Sequence, residues 1–268
     1  MLNRATTLLV LSGTVLLAAC HRVKPTPTTF NWKGPVQADG WLRLRNVTGD
    51  FEIGVTDGDS AQITFVIERS SAFAPDAQIK VLKTADGVLA CVLYAADGSC
   101  SASEYKGGNA YSNGFFKFGR GGTTVRGKIL LPRGVRLDVE STNGDITVSA
   151  ATSDVVATTT NGDVEVRGAR RGVQVTTTNG DIEIGLDSIA AAVAAASTNG
   201  DVRVIVPSTL SASVKMNTTN GELDLGLPGT IVSKTAKQLV ATLGGVGGQP
   251  ITINTVNGDI KLRSATQP

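Results

Sequence analysis

Short runs of alternating hydrophobic and polar residues fill most of this 268-residue chain, and they come in pairs that flank one recurring turn. The turns are Asn143-Gly144-Asp145, Asn161-Gly162-Asp163, Asn179-Gly180-Asp181, Asn199-Gly200-Asp201, Asn220-Gly221-Glu222 and Asn257-Gly258-Asp259. Counting from each Asn, positions −6, −4, +3 and +5 are apolar, as in Leu137, Val139, Ile146 and Val148 around the first copy and Val173, Val175, Ile182 and Ile184 around the third. A degenerate seventh copy lies upstream, with Leu42 and Leu44, then Thr48-Gly49-Asp50, then Phe51 and Ile53. Period-two alternation on both sides of a turn predicts two half-buried strands per copy, because only a strand sends every second side chain to one face. The chain therefore reads as an all-β repeat protein.

Successive turns are 18, 18, 20, 21 and 37 residues apart, and the last interval is about two units with one turn lost in the stretch Gly244-Gly245-Val246-Gly247-Gly248. Units of about 18–21 residues hold two short strands and two turns, the content of one coil of a β-solenoid resembling a single-stranded β-helix. The alternative is a meander of antiparallel hairpins, for which Asn-Gly between alternating apolar residues is the strongest local signal. Side-chain parity is the same in both. Near-constant spacing and a near-identical turn favour the solenoid, since stacking selects for both.

Asn and Gly tolerate positive φ, so a tight turn is sufficient reason for each pair. The Thr and Ser residues before the turns (Thr158–Thr160, Thr176–Thr178, Ser197-Thr198, Thr218-Thr219) suit strands and can hydrogen-bond along a stack, a structural role preferred here over binding. Stacking would also line up Asp145, Asp163, Asp181, Asp201 and Glu222 at one corner. Their charges are expected to be compensated by hydrogen bonds from each turn's own backbone N–H groups rather than by Ca²⁺, so no metal or other cofactor is expected.

The N-terminus has the form of an export signal, with Arg4 before an apolar run from Leu8 to Ala19 that is too short to span a bilayer. Leu17-Ala18-Ala19-Cys20 resembles the lipobox of bacterial lipoproteins. That resemblance implies cleavage before Cys20, lipidation of Cys20 and, with His21 next, an outer-membrane location. Residues 1–19 are then a signal peptide, 20–35 a lipidated cysteine and Pro-containing tether, and 36–268 the β-repeat domain.

Without residues 1–19 the chain has 24 basic and 23 acidic side chains, a balance that predicts no nucleic-acid partner. Local basic groups (Lys117/Arg120/Arg126, Arg167/Arg170/Arg171, Lys234/Lys237) read as solvated turns. The single histidine, His21, lies in the tether, which excludes histidine triads and histidine-rich metal sites. Cys91 and Cys100 remain as an exported pair and are expected to form a disulfide. A hairpin centred on Asp97-Gly98 would set Cys100 opposite Ala95, which is the geometric difficulty for that bridge.

Trp41 to Ser70 reads as three strands, and residues 76–100 as two or three more. Ser188–Ala196 is alanine-rich, but Val193 and Ala195 keep the repeat, so strand is assigned. Residues 101–122 are different: rich in Gly, Ser and Asn, they hold Tyr105, Tyr111, Phe115, Phe116 and Phe118, five of the twelve aromatic residues in the chain. Such a segment is a candidate binding loop. Capping of an open solenoid end by its aromatics is the preferred reading.

The strand-turn pattern of Leu42–Ile67, the repeated Thr-x-Asn-Gly-Asp-Ile-x-Ile units and the ending Gly247-Gly248-Gln249-Pro250-Ile251 to Leu262 resemble the bacterial "putative adhesin" domains with β-strand repeats, the DUF4097 family. The resemblance covers nearly all of residues 36–263 and implies a β-helix-like envelope protein with no catalytic residues to carry over. The expected function is non-enzymatic: a lipid-anchored protein presenting its solenoid to an envelope or extracellular partner. Alternatives are a polysaccharide-active β-helix enzyme, against which stands the lack of one matched carboxylate pair, and a purely structural envelope spacer.

Overall fold

The structure, a computed structural model, describes residues 25–94, 97–111, 121–245 and 247–265. Among these residues every regular element is a β-strand, arranged in a ten-stranded sheet, an eleven-stranded sheet and a two-stranded ribbon. The two large sheets face each other across one apolar core. Each Asn-Gly-acid turn carries the chain from the eleven-stranded sheet to the ten-stranded one.

Stacking is parallel and in register: Leu137 pairs with Val155, Val155 with Val173 and Val173 with Val193 in one sheet. In the other, Ile146 pairs with Val164, Val164 with Ile182 and Ile182 with Val202. These apolar columns are almost fully buried, with Leu137, Val166 and Ile184 at 0% exposure. Parallel pairing between copies excludes a meander, in which each copy would pair antiparallel with the next. The degenerate copy is a true coil, since Trp41–Arg45 and Phe51–Thr56 stack in parallel on Arg136–Asn143 and Ile146–Val148.

The 37-residue interval does not hold a coil with a lost turn. Instead, Thr230–Lys234 and Gln238–Leu243 form an antiparallel hairpin that continues the eleven-stranded sheet beyond Ala212–Asn220. Gln249–Asn257 and Ile260–Ser264 then enter between the Asn199 and Asn220 coils. The stacking order is thus Asn199, Asn257, Asn220. Gly248 is needed at the crossing, where a Cβ would lie 2.2 Å from the Ser211 carbonyl oxygen.

At the other end, Gly87–Tyr94 and Thr123–Pro132 add an outermost parallel coil on the Trp41 coil. Antiparallel strands then close the core: Ala77–Thr84 lies on Gly87–Tyr94, Ser60–Arg69 on Thr123–Pro132, and Thr28–Pro35 on Ser60–Arg69. These strands cover the end, while Phe115, Phe116 and Phe118, the aromatics expected to cap it, lie outside the described residues. The described part of the aromatic segment, residues 101–111, follows the outermost coil's Gly87–Tyr94 strand at the corner where other coils make their turn. At the opposite end of the ten-stranded sheet, Leu223–Gly226 has one free edge, which is why Leu223 and Leu225 are only partly buried.

Candidate functional surface

Three side-chain ladders run up the turn corner and account for the repeated residues. Each Asn Nδ2 donates to the Oδ1 of the Asn in the preceding coil, from Asn161 to Asn143 at 2.8 Å through Asn179, Asn199 and Asn257 to the final bond from Asn220 to Asn257 at 2.8 Å. Each Asp of the turns accepts at Oδ1 from the backbone N–H of the acid in the next coil, as Asp163 does from Asp181 at 2.8 Å and Asp181 from Asp201 at 2.7 Å, and the column ends with Glu222, whose N–H donates to Asp259. Each buried hydroxyl two residues before the Asn donates to the preceding coil's Gly carbonyl, as Thr177 does to Gly162 at 3.1 Å and Thr255 to Gly200 at 3.0 Å.

Two expectations change as a result. The acids accept from the neighbouring coil, not from their own turn, because parallel stacking places the next N–H directly at the carboxylate. The turns are also not left-handed at Asn: the only described non-glycine residues with positive φ are Asp39 and Ala150. Gly180 has φ of 159°, close to extended, and its requirement is steric. A Cβ there would sit 2.0 Å from the Gly162 carbonyl oxygen.

The Thr runs split by parity. Thr159 and Thr177 turn inward and serve the ladder, while Thr158, Thr160, Thr176 and Thr178 face outward, and their hydroxyls have no hydrogen-bond partner among the described residues. The four adjacent strands Val155–Asn161, Val173–Asn179, Val193–Asn199 and Gln249–Asn257 contain no charged residue. The opposite sheet differs sharply, with Glu165, Glu183, Arg203 and Lys261 lining a shallow groove beside the acid ladder.

Toward the insertion the outer face of the eleven-stranded sheet becomes charged. Arg43 makes a two-pronged contact with Asp86, at 2.8 and 2.7 Å, and Arg45 binds Asp138 at 2.7 Å and Glu140 at 3.2 Å. The hydrogen bonds from Arg43 hold the Asp86 carboxyl well below the usual carboxylate range. Arg136 and Arg43 lie 4.6 and 5.5 Å from the centre of the Trp41 ring. This network was not singled out in the sequence; its signal was Leu42-Arg43-Leu44-Arg45 opposite Asp138 and Glu140 at outward parity.

The start of the insertion is stapled over this network. Cys91 and Cys100 are bridged, with Cα atoms 6.4 Å apart. The anticipated geometric difficulty does not arise, because Ser99–Cys100 pairs with Tyr105–Lys106 and not with the strand that carries Cys91. With Leu89, the two cysteines form a small second core. The Tyr105 hydroxyl donates to Val92 O at 2.7 Å, and burial raises its pKa. Between this ribbon and the sheet lies a cleft of about 250 Å³ lined by Arg43, Arg45, Glu140, Ser101, Ser103 and Tyr105, among others.

Of the candidate loop aromatics, Tyr105 is thus half-buried and Tyr111 is 53% exposed. Phe115, Phe116 and Phe118 lie outside the described residues, as do Lys117, Arg120 and Cys20. The other basic groups are largely engaged: Arg167 with Glu165, Arg170 with Asp187 at 3.3 Å, and Lys237 Nζ with the Gly221 carbonyl at 3.1 Å.

An all-β, solenoid-like repeat protein whose turn residues hold coil to coil is the class that these features define. The chain belongs to the DUF4097 family: the family model described as Toastrack DUF4097 matches residues 90–263. No curated protein matches the chain. Among solved structures, a "putative cell adhesion protein" from Clostridium sporogenes is 12% identical with a TM-score of 0.51, over 89% of this chain and all of that one. A "putative adhesin" from Bacteroides fragilis is 12% identical with a TM-score of 0.42, over 90% of this chain and 99% of that one. At such identity the first likeness is one of fold.

Proposed function

We propose that this chain is a non-enzymatic protein of the bacterial envelope, anchored in the outer membrane through lipid on Cys20. Its array of coils about 18–21 residues long presents an elongated surface for adhesion to another envelope or extracellular component. The observation that carries the reading is the use made of the turn residues. Each Asp of the ladder accepts a neighbouring backbone N–H, so the regular carboxylate array is part of the scaffold rather than a pair poised across a substrate. The outward rows are left as the working surface. The name of the Clostridium sporogenes fold neighbour and the Leu17-Ala18-Ala19-Cys20 motif support the same reading.

Capture of envelope fragments by the lipidated full chain tests it, alongside detergent partitioning of Cys20→Ser. The wild type is expected to partition with membrane and to retain an envelope component, and Cys20→Ser to become soluble. Unchanged mass and partitioning of Cys20→Ser would remove the anchor. Release of new reducing ends from envelope polysaccharide would replace adhesion with catalysis.

A further inference from the structure

We infer that the outer face of the eleven-stranded sheet binds a neutral polysaccharide chain, held at one end in the cleft under the disulfide-stapled ribbon and laid along the threonine rows. The inference rests on the adhesion reading and names its ligand class. One row of outward residues joins the two parts without a break: Arg45 is in register with Glu140, Glu140 with Thr158, Thr158 with Thr176, and Thr176 with Ala196. The cleft stands at the Arg45 end of that row.

Its volume of about 250 Å³ suits one sugar ring rather than a drug-sized molecule. The chemistry of its walls is that of hydroxyl recognition. The Glu140 side chain, 52% exposed, is held by Arg45 Nε at 3.2 Å and retains acceptor capacity, while the exposed Ser103 supplies a hydroxyl opposite and Ser101 Oγ is spent on the Glu104 backbone at 3.1 and 3.3 Å. These groups are already fixed by ion pairs and by the Cys91–Cys100 bridge, so little side-chain freedom is lost on binding.

Beyond the cleft the floor narrows the choice of ligand. These are interior strands whose backbone groups are spent on their neighbours, so a partner cannot join as an added strand. A polyanion would need cations, and the four strands have none. A protein partner would favour an apolar patch, whereas these rows expose one large apolar side chain, Val256 at 42%, among hydroxyls and amides. An extended polymer of neutral hydroxyls fits all three: its O–H groups meet unpartnered Thr158 and Thr176, and its C–H faces meet their methyl groups. Four strands at about 4.8 Å spacing make a floor about 15 Å wide, enough for several rings.

The test places the full chain on immobilised dextran, a soluble β-glucan and polygalacturonate. Retention is expected on a neutral glucan and not on polygalacturonate, and it should persist from about 0.1 to about 1 M salt, because no screened charge pair carries it. Thr176→Lys and Glu140→Gln should each weaken retention about tenfold or more with an unchanged melting temperature, while Glu183→Gln on the other sheet should not. Absence of retention on either neutral glucan, retention insensitive to both row variants, or salt-sensitive binding to polygalacturonate would overturn the assignment. If envelope capture survives Thr176→Lys and Glu140→Gln, the adhesion reading stands and only the polysaccharide assignment falls. Loss of capture in the wild type as well would remove both.

Discussion

The middle of the solenoid and its N-terminal end are built from the same two-strand coil but are held together differently. In the middle, identical residues meet identical residues, and three ladders repeat with distances near 2.7–3.1 Å from coil to coil. At the Trp41 coil the Asn-Gly-Asp turn gives way to Asn46-Val47-Thr48-Gly49-Asp50; the acid ladder still reaches Asp50, which accepts from the Asp145 N–H at 3.1 Å, but the Asn ladder ends and buried Asn46 takes its place. Asn46 Nδ2 donates to Val125 O at 2.8 Å, and its Oδ1 lies 2.7 Å from the Tyr94 hydroxyl. One coil further out there is no short turn; the insertion begins, and a disulfide fixes it. Periodic contacts end where the surface becomes individual, and the cleft lies at that boundary.

The largest effect should come from breaking the ladder corner. Gly180→Ala forces a backbone shift against the Gly162 carbonyl and should cost about 3 kcal/mol in a denaturant titration, whereas Gly245→Ala, with open space around it, should be near neutral. Equal effects at the two sites would refute close stacking as the reason for the repeated glycine. Next, Cys91→Ser with Cys100→Ser should cost about 2–3 kcal/mol and raise hydrogen exchange around residues 97–111 while leaving the Asn161 to Asn199 coils protected. Loosening of the middle would show that the two regions are not separate.

Tyr94→Phe should cost about 1–2 kcal/mol, because Asn46 then loses a buried partner. The Tyr94 hydroxyl titrates above its ordinary range, chiefly through burial. A raised folded pKa contributes stability that is fully present below the unfolded value near 10 and is lost as pH rises above it, so wild type should unfold more readily in strong alkali and Tyr94→Phe should show less of that dependence. A finer comparison is Thr177→Val, expected to cost about 1 kcal/mol through its lost bond to Gly162, against Thr178→Val, expected within about 0.5 kcal/mol. The smallest effect belongs to Asp86→Asn. Its depressed carboxyl pKa contributes above the ordinary carboxylate range and fades as pH falls below about 4, so acid titrations of wild type and variant should converge there.

Alternation alone determined which side chains face inward, from Leu42 and Leu44 through Leu262, because parity along a strand is local. The degenerate upstream copy and the pairing of Cys91 with Cys100 were legible for related reasons, a repeated pattern and a pair left over. The order of the coils was not. Every copy presents the same apolar columns and the same turn, so any coil can stack on any other, and only the free edges and the reach of the intervening chain decide. Those factors place the Asn257 coil inside the Asn220 coil, with Gly248 crossing close over Ser211. Tertiary structure likewise decided the roles within each Thr-Thr-Thr run: Thr177 is consumed by a carbonyl that belongs to another coil, while Thr176 and Thr178 are left facing solvent. The charged network under the insertion was invisible for the same reason, since Arg43 and Arg45 meet Asp138 and Glu140 across more than 90 residues of chain.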